Sequence, residues 1–316
     1  EHPVRSVSFP FYEGFRLGLP QVPDPVEDAD VVHAHTPFGV GIGGLRLARS
    51  ADAPMVASYH TPTSEYAAYV SLNGAVEKAI RRSAVSYEQW FLEKAEVVIV
   101  PSEETGRHVR EDIGVTSDVE VVPNGVDTEF FRPVEGALRD RFGLPEGPLV
   151  GYTGRHGYEK NLEFLVDAVA AMDDPPTLAF GGDGPAREDL EEAAAEYGLD
   201  AHFLGFLDRE DLPAFYATLD VFAFPSPVET QGLVALEANA CGTPVVGVDS
   251  GALTTTVRDG ETGYRYAEGD VGAFRAGIER ALTEYDDLRV NCLDRREATS
   301  VEHSVDRLAR IYESLQ

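Results

Sequence analysis

Two cations and two carboxylates are the residues of this 316-residue chain whose types and spacing best suit chemistry. Arg155 and Lys160 stand in "GRHGYEKN", directly after the apolar run "LVGYT". Two cations beside a helix start suit a diphosphate, because charge-assisted hydrogen bonds add to the positive end of the helix dipole. Glu229 and Glu237 flank "TQGLVAL", a separation of roughly one and a half to two turns that lets both carboxylates face one crevice. A carboxylate accepts from both hydroxyls of a vicinal diol, as ribose and hexoses present. Between the glutamates, the amides from Gln231 to Val234 open a helix and offer donors to phosphate oxygens. A ligand with a sugar at each end and a diphosphate in the middle, a nucleotide sugar, satisfies all of these groups. Taken singly, the cations read as well as solvated surface charges, and the glutamates as a chance spacing in a helix.

These residues need a scaffold, and from Asp30 onward short β-rich runs alternate with helical ones. That pattern predicts an α/β fold of doubly wound parallel sheets with helices on both faces. The first half carries "DVVHAH", "PMVASYH", "EVVIVPS" and "VEVVPNG"; the second carries "LVGYTGR", "TLAFGGDG", "AHFLGFL", "DVFAFPS" and "TPVVGVDSG". The Gly and Pro of "RDRFGLPEGP" place a domain boundary near Gly147. Asn161 is a candidate N-cap for a helix whose apolar face is Leu162, Leu165, Val166 and Val169. A second helix runs from Pro185 to a stop at Gly198, and a third is "GLVALEANACG". Each starts just after a strand, so the crevice at the carboxyl ends of the second sheet, with Gly154, Gly181, Gly182 and Gly184 in its loops, is where a ligand is expected.

With those motifs in place, the ordered set "GYTGRHGYEKN", "FGGDGP", "FLGFLDREDLPAFYATLDVFAFPS", "ETQGLVALEANACGTPVVG" and "GETGYRY" resembles the nucleotide-sugar half of the family 4 retaining glycosyltransferases with the GT-B fold. The resemblance implies two Rossmann-like domains facing across a cleft. Residues 1–146 would bind the acceptor and lack their N-terminal portion, residues 147–300 would bind the donor, and a helix within 301–316 would cross back to the first domain. It implies a donor-binding set of Gly154, Arg155, Lys160, Phe206, Thr230, Gln231, Gly232, Leu233 and Glu237. Arg155 and Lys160 would hold the diphosphate, Glu237 the ribose, and the backbone near Phe206 the base. Glu229 would act at the donor sugar with the amides near Gln231 and Gly232. Where the family usually places an aromatic, this chain has Gln231, and the resulting "ETQG" is similar to transferases that glucosylate diacylglycerol. The runs "SFPFYEGFRLGLP", "VVHAHTPFGVG" and "SYHTPTSEYAAYV" look like the acceptor domain of those lipid enzymes, which puts His60 at the catalytic position and His35 at the neighbouring strand end. His33, His108, His156, His202 and His303 read as structural.

The expected reaction is metal-independent transfer of a hexose, from UDP-glucose first and GDP-mannose second, to a lipid or glycan hydroxyl. No cofactor is called for, since the nucleotide sugar is a substrate. Lys78, Arg81 and Arg82 form a dense basic cluster on an expected helix with Val76, Ile80, Tyr87, Trp90 and Phe91. Those cations read either as a peripheral contact with an anionic membrane surface or as a solvated face with Glu77 pairing Arg81. Asp28-Ala29-Asp30 matches D-x-D but precedes its strand and reads as a turn. Two rivals are a non-catalytic nucleotide-sugar-binding subunit and an NAD-dependent oxidoreductase. The second rests on Gly39, Gly41 and Gly44, and the strand "PMVASYH" after them lacks the terminal acid that would hold an adenosine ribose.

Composition bounds these readings. With 26 Lys+Arg against 55 Asp+Glu the net charge is −29, which argues against nucleic acid as a partner and requires any polyanion site to be local. No stretch approaches the about 18 apolar residues of a spanning helix. Cys241 and Cys292 are too few for a disulfide framework and fit free thiols in a reducing cytoplasm. The chain begins Glu1-His2-Pro3, without an initiator Met, which reads as a fragment or processed form. Lysine occurs only at Lys78, Lys94 and Lys160, and that skew, with the acidity, points to a halophilic, salt-rich cytoplasm. Tryptophan fluorescence should then report loosening of the fold as KCl is withdrawn; a chain equally folded without salt contradicts the expectation.

Overall fold

The structure, a computed structural model, describes residues 4–8, 16–22, 29–60, 74–134, 138–227, 229 and 231–316. It divides into two compact units, Glu1–Pro123 with Val305–Gln316, and Asn124–Ser304. In the first, a short antiparallel hairpin pairs β1 (Ser6–Ser8) with β2 (Arg16–Gly18). Four parallel strands then stand side by side in chain order: β3 (Val32–Ala34), β4 (Met55–Ser58), β5 (Val97–Val100) and β6 (Asp118–Val121). Between them run α1 (Gly39–Ala51), α2 (Gly74–Leu92) and α3 (Glu103–His108), the last continuing as a π turn over Val109–Ile113. β5 is wholly β-branched and buried at every position, the signature of a strand covered on both faces. The period of two shows which side chain goes where: Met55, Ala57, Val98 and Val100 join the core with Leu45 and Phe91, while Val56, Val97 and Ile99 meet the C-terminal helix Val301–Leu315. That helix contributes Leu308, Ile311, Tyr312 and Leu315, one apolar stripe at i, i+3, i+4, i+7.

In the second unit six parallel strands are β7 (Leu149–Thr153), β8 (Thr177–Gly181), β9 (Ala201–Gly205), β10 (Val221–Phe224), β11 (Val245–Val248) and β12 (Gly263–Tyr266). Their spatial order is β12-β11-β10-β7-β8-β9. The helices are α4 (Leu138–Phe142), α5 (Leu162–Ala170), α6 (Arg187–Tyr197), α7 (Leu212–Thr218), α8 (Leu233–Ala240), α9 (Leu253–Thr256), α10 (Val271–Thr283) and α11 (Tyr285–Asp294). The chain leaves β7 toward β8 on one side and returns to β10 on the other. The loops after β7 and β10 therefore diverge, opening the switch-point crevice of a doubly wound sheet.

Three details differ from the sequence reading. The units divide at Pro123/Asn124 and not near Gly147, because Phe131 and Leu144 belong to the second core and Val126 exchanges backbone hydrogen bonds with Thr299 and Val301. Asn161 precedes α5 but makes no side-chain cap; its backbone is left-handed at φ 54°, a conformation that asparagine tolerates better than most residues. Gly39, Gly41 and Gly44 lie inside α1, not in a phosphate loop, and the first two are needed for close packing. A Cβ on Gly39 would sit 1.9 Å from the Gly18 carbonyl oxygen, and one on Gly41 1.8 Å from that of Thr36.

His33, at the centre of β3, ties the C-terminal helix to the sheet. Its Nδ1 lies 2.5 Å from the Tyr312 hydroxyl and its Nε2 2.7 Å from Ser58 Oγ. Burial first, then the neighbouring rings of His35 and His60, pushes its pKa down to about 4. In the unfolded chain such a histidine takes up a proton near pH 6.5, so the stability it contributes is complete above 6.5 and is lost as the pH falls from there through about 4. Thermal melts of the intact chain and of His33→Gln should therefore show a steeper fall in Tm over that window for the unsubstituted protein; parallel profiles would refute the assignment.

Candidate functional site

The loop after β7 starts at Gly154, whose φ of 146° carries the chain sharply away from the strand. The next turn is locked to the loop after β8. The His156 amide donates to the Asp183 carbonyl at 2.9 Å, and the His156 carbonyl accepts from Ala186 at 2.9 Å. The fully buried His156 ring has its Nε2 3.3 Å from the Gly181 carbonyl, and burial lowers its pKa, so the imidazole is neutral. Gly182 explains the glycine-rich "FGGDGP": its φ is 104°, and a Cβ there would sit 2.0 Å from the Gly154 carbonyl oxygen. The two loops thus pack backbone against backbone, and the turn that carries Arg155 and Lys160 is held rigid.

Lys160 closes the short turn Tyr158–Lys160 and points to the other side of the crevice. Its Nζ lies 3.4 Å from Glu229 Oε2, with each side chain 20% exposed, so the pair is partly screened from water. The other oxygen of Glu229 faces the amides of Gln231 and Gly232 at 3.5 and 3.3 Å. One carboxylate therefore joins the loop after β7 to the entrance of α8. Gly232 forms that entrance with φ 64° and no side-chain cap, and its carbonyl accepts from the Ala235 and Leu236 amides at 3.0 and 3.2 Å. Glu229 is fixed in turn through its own carbonyl, which accepts from Ala252 at 2.9 Å.

Arg155 pairs with Glu159 four residues on and is largely exposed. It shares the surroundings of one phenol with Lys160's partner: burial raises the Tyr152 pKa, Glu229 and Glu159 raise it further, and Arg155 opposes them. Glu237, one turn inside α8, accepts from the Tyr216 hydroxyl at 2.8 Å. Burial lifts the Glu237 pKa above the usual carboxylate range, and the Tyr216 hydrogen bond and Arg209 pull it back. Phe206 follows β9 and is 82% exposed, and Arg209 beyond it stacks over Phe130 at 4.5 Å. Leu233 begins α8. Thr230 lies outside the described residues, as do Asp28 of the D-x-D and the side chains of Val76 and Glu77. The structure thus brings Lys160, Glu229 and the amides of Gln231 and Gly232 into direct contact, and sets Arg155 and Glu237 on partners that the sequence reading did not name: Glu159 and Tyr216.

In the first unit His60 follows β4. Its Nε2 lies 3.3 Å from His35 Nδ1, the two rings are parallel within 3°, and the His33 ring is tilted by 31° against that of His35 with centroids 4.0 Å apart. Burial lowers the pKa of His35, and burial together with His35 lowers that of His60. His33 therefore belongs to the same cluster as His35 and His60, which sequence reasoning missed. On α2, Lys78, Arg81 and Arg82 are exposed, and farther along the exposed Trp90 stacks on Tyr87 at 5.7 Å with Lys94 Nζ 5.9 Å over its ring. No helix among the described residues is long and apolar enough to cross a membrane.

A cation, a carboxylate and the amides at a helix entrance gathered at the switch point of a parallel sheet define a doubly wound α/β protein with a polar crevice, and comparison with known proteins gives the family. The Glycosyl transferases group 1 family matches residues 136–297, and Glycosyltransferase Family 4 matches residues 2–130. The sulfoquinovosyl transferase SQD2 of Arabidopsis thaliana is 34% identical over 282 residues, 84% of this chain and 53% of that protein. The alpha-monoglucosyldiacylglycerol synthase of Streptococcus pneumoniae is 31% identical over 250 residues, 75% of this chain and 56% of that protein. The chain thus spans little more than half the length of these two relatives. Among solved structures, Anabaena HepE in complex with UDP aligns with a TM-score of 0.76 at 22% identity, covering 92% of this chain and 80% of that one. The chain belongs to the family 4 glycosyltransferases and has the GT-B fold.

Proposed function

We propose that this chain moves a hexose from a nucleoside diphosphate sugar, UDP-glucose first and GDP-mannose second, to a hydroxyl of a lipid or glycan, with retention at the anomeric carbon. The observation that carries the reading is the Lys160–Glu229 contact at the mouth of α8, which holds a cation beside helix amides in a chain of net charge −29. Arg155, Lys160 and those amides would neutralise the pyrophosphate as it leaves, which is the main electrostatic demand of the reaction. No metal ion is required in this reading, because the cations and amides do that work. Glu237 accepts from the ribose diol, Glu229 from the donor sugar, and the backbone near Phe206 holds the base. The departing phosphate takes the proton of the acceptor hydroxyl as that oxygen attacks from the same face. The sugar–phosphate bond breaks as the new glycosidic bond forms, and His60 steadies the oxocarbenium-like sugar. The diacylglycerol in the name of one relative and the UDP held by one fold neighbour support the choice of acceptor and base. Lys78, Arg81 and Arg82 would rest on an anionic cytoplasmic leaflet, at about 1 kcal/mol per basic residue.

Incubation with UDP-glucose or GDP-mannose labelled in the sugar, with diacylglycerol in mixed vesicles, should yield a labelled, chloroform-soluble product. His60→Ala should lower turnover by about 100-fold or more and leave UDP affinity nearly unchanged; loss of both, or of neither, contradicts the role. Lys160→Ala should weaken UDP itself by about 10- to 100-fold.

A further inference from the structure

Tyr216 is among the most deeply buried side chains of the second unit, and it is not an apolar one. It lies on α7 with no exposed surface, its ring set edge-on to Phe222 at 5.6 Å and tilted against Phe131 at 6.1 Å. Its backbone is fixed as well, since the Tyr216 carbonyl accepts from the fully buried Thr243 hydroxyl at 2.6 Å. A ring held on two sides and a pinned backbone leave the phenol hydroxyl one place to be. That place is 2.8 Å from Glu237 Oε2 on the neighbouring helix α8. A free carboxylate on a helix turns about its terminal torsion with little hindrance, whereas one whose Oε2 accepts from an immobile donor presents its remaining lone pairs in a single orientation. The other titratable groups acting on the pair are Arg209, which favours the ionised carboxylate, and Cys241 and Tyr152, both neutral through burial.

We propose that Tyr216 is a positioning residue for the ribose of the donor: by anchoring Oε2 of Glu237 it aims the carboxylate at the 2′,3′-diol and so sets the preference for ribonucleotides over 2′-deoxyribonucleotides. The inference rests on the donor reading above, in which Glu237 meets the ribose. It adds that the discrimination depends on a residue that touches no ligand. The phenol donates to the carboxylate in the free protein, so the geometry exists before the nucleotide arrives and no ordering of Glu237 is needed on binding.

Calorimetric titration of the full chain with UDP and 2′-deoxy-UDP, and with GDP and 2′-deoxy-GDP, tests this. The unsubstituted protein should prefer the ribo form of its nucleotide by about tenfold or more, and Tyr216→Phe should bring that ratio to within about twofold while the affinity for the deoxy form stays put. No binding of either pair by the unsubstituted protein overturns the donor site itself, and binding without a ribo preference overturns the ribose role of Glu237. A Tyr216→Phe protein that keeps its tenfold ratio, or that loses both forms equally, overturns the positioning role alone. Removing a partner of a buried carboxylate can cost folding, so Glu237→Ala is compared with the double variant Tyr216→Phe/Glu237→Ala, in which neither group is left unpaired. Equal affinities for UDP in those two support the inference, and a further loss in the double variant contradicts it.

Discussion

The ammonium of Lys160 against the carboxylate of Glu229 is the contact on which the proposed donor site of the second unit depends. A chain with 55 acidic and 26 basic side chains repels any polyanion at long range, and a diphosphate site has to be made by short-range contacts that the distant carboxylates cannot cancel. A cation standing free in solvent would be screened to little effect. One placed in a partly buried crevice beside helix amides keeps most of its field. Glu229 lowers the cost of keeping Lys160 there, and the amides of Gln231 and Gly232 lower the cost of keeping Glu229 there.

This constraint explains several features that look unrelated in the chain. The reversal of strand order at β7 and β10 provides the divergence between the two loops that the contact spans. The glycines after β8 let one loop press on the backbone of the other, and the neutral ring of His156 fills the space between them without adding charge. At the far end of α8's first turn, Tyr216 does for Glu237 what the amides do for Glu229: it supplies a hydrogen-bond donor to the carboxylate, and at Glu237 that bond works against the burial that raises its pKa. The crevice therefore holds two carboxylates in different states of support, one paired with a cation and the other with a phenol.

Much of this was legible in the residues. Nine of the strands follow β-rich runs bounded by Gly or Pro, and the last helix lies over Val301–Leu315 as its apolar stripe requires. The cations at 155 and 160 and the glutamates at 229 and 237 stand out because their types are rare or regularly spaced in the loops that a doubly wound sheet exposes. Other features left no such mark. Tyr216 sits in "LPAFYAT", where a core aromatic and a hydrogen-bond donor look alike, and only the depth of its burial tells them apart. Glu159 is one acid among many. The pairing of His33 with Tyr312 joins residues 279 positions apart, beyond the reach of any local pattern. The division at Pro123/Asn124 is hidden because residues 124–134 carry no regular element and are held to the second unit by a few backbone bonds and by Val126, Phe130 and Phe131. The short hairpin β1–β2 has three residues in each strand, too few for alternation to register, and β12 hides its start behind a glycine at φ 151°.

The most direct measurement of the central claim is where a nucleotide sits. A crystal structure of the chain grown with UDP should place the diphosphate against Lys160 Nζ and the amides that open α8, with the ribose at Glu237 and the Lys160–Glu229 pair rearranged around it. Density for the nucleotide at the glycines of α1, or elsewhere away from both glutamates, would contradict the account.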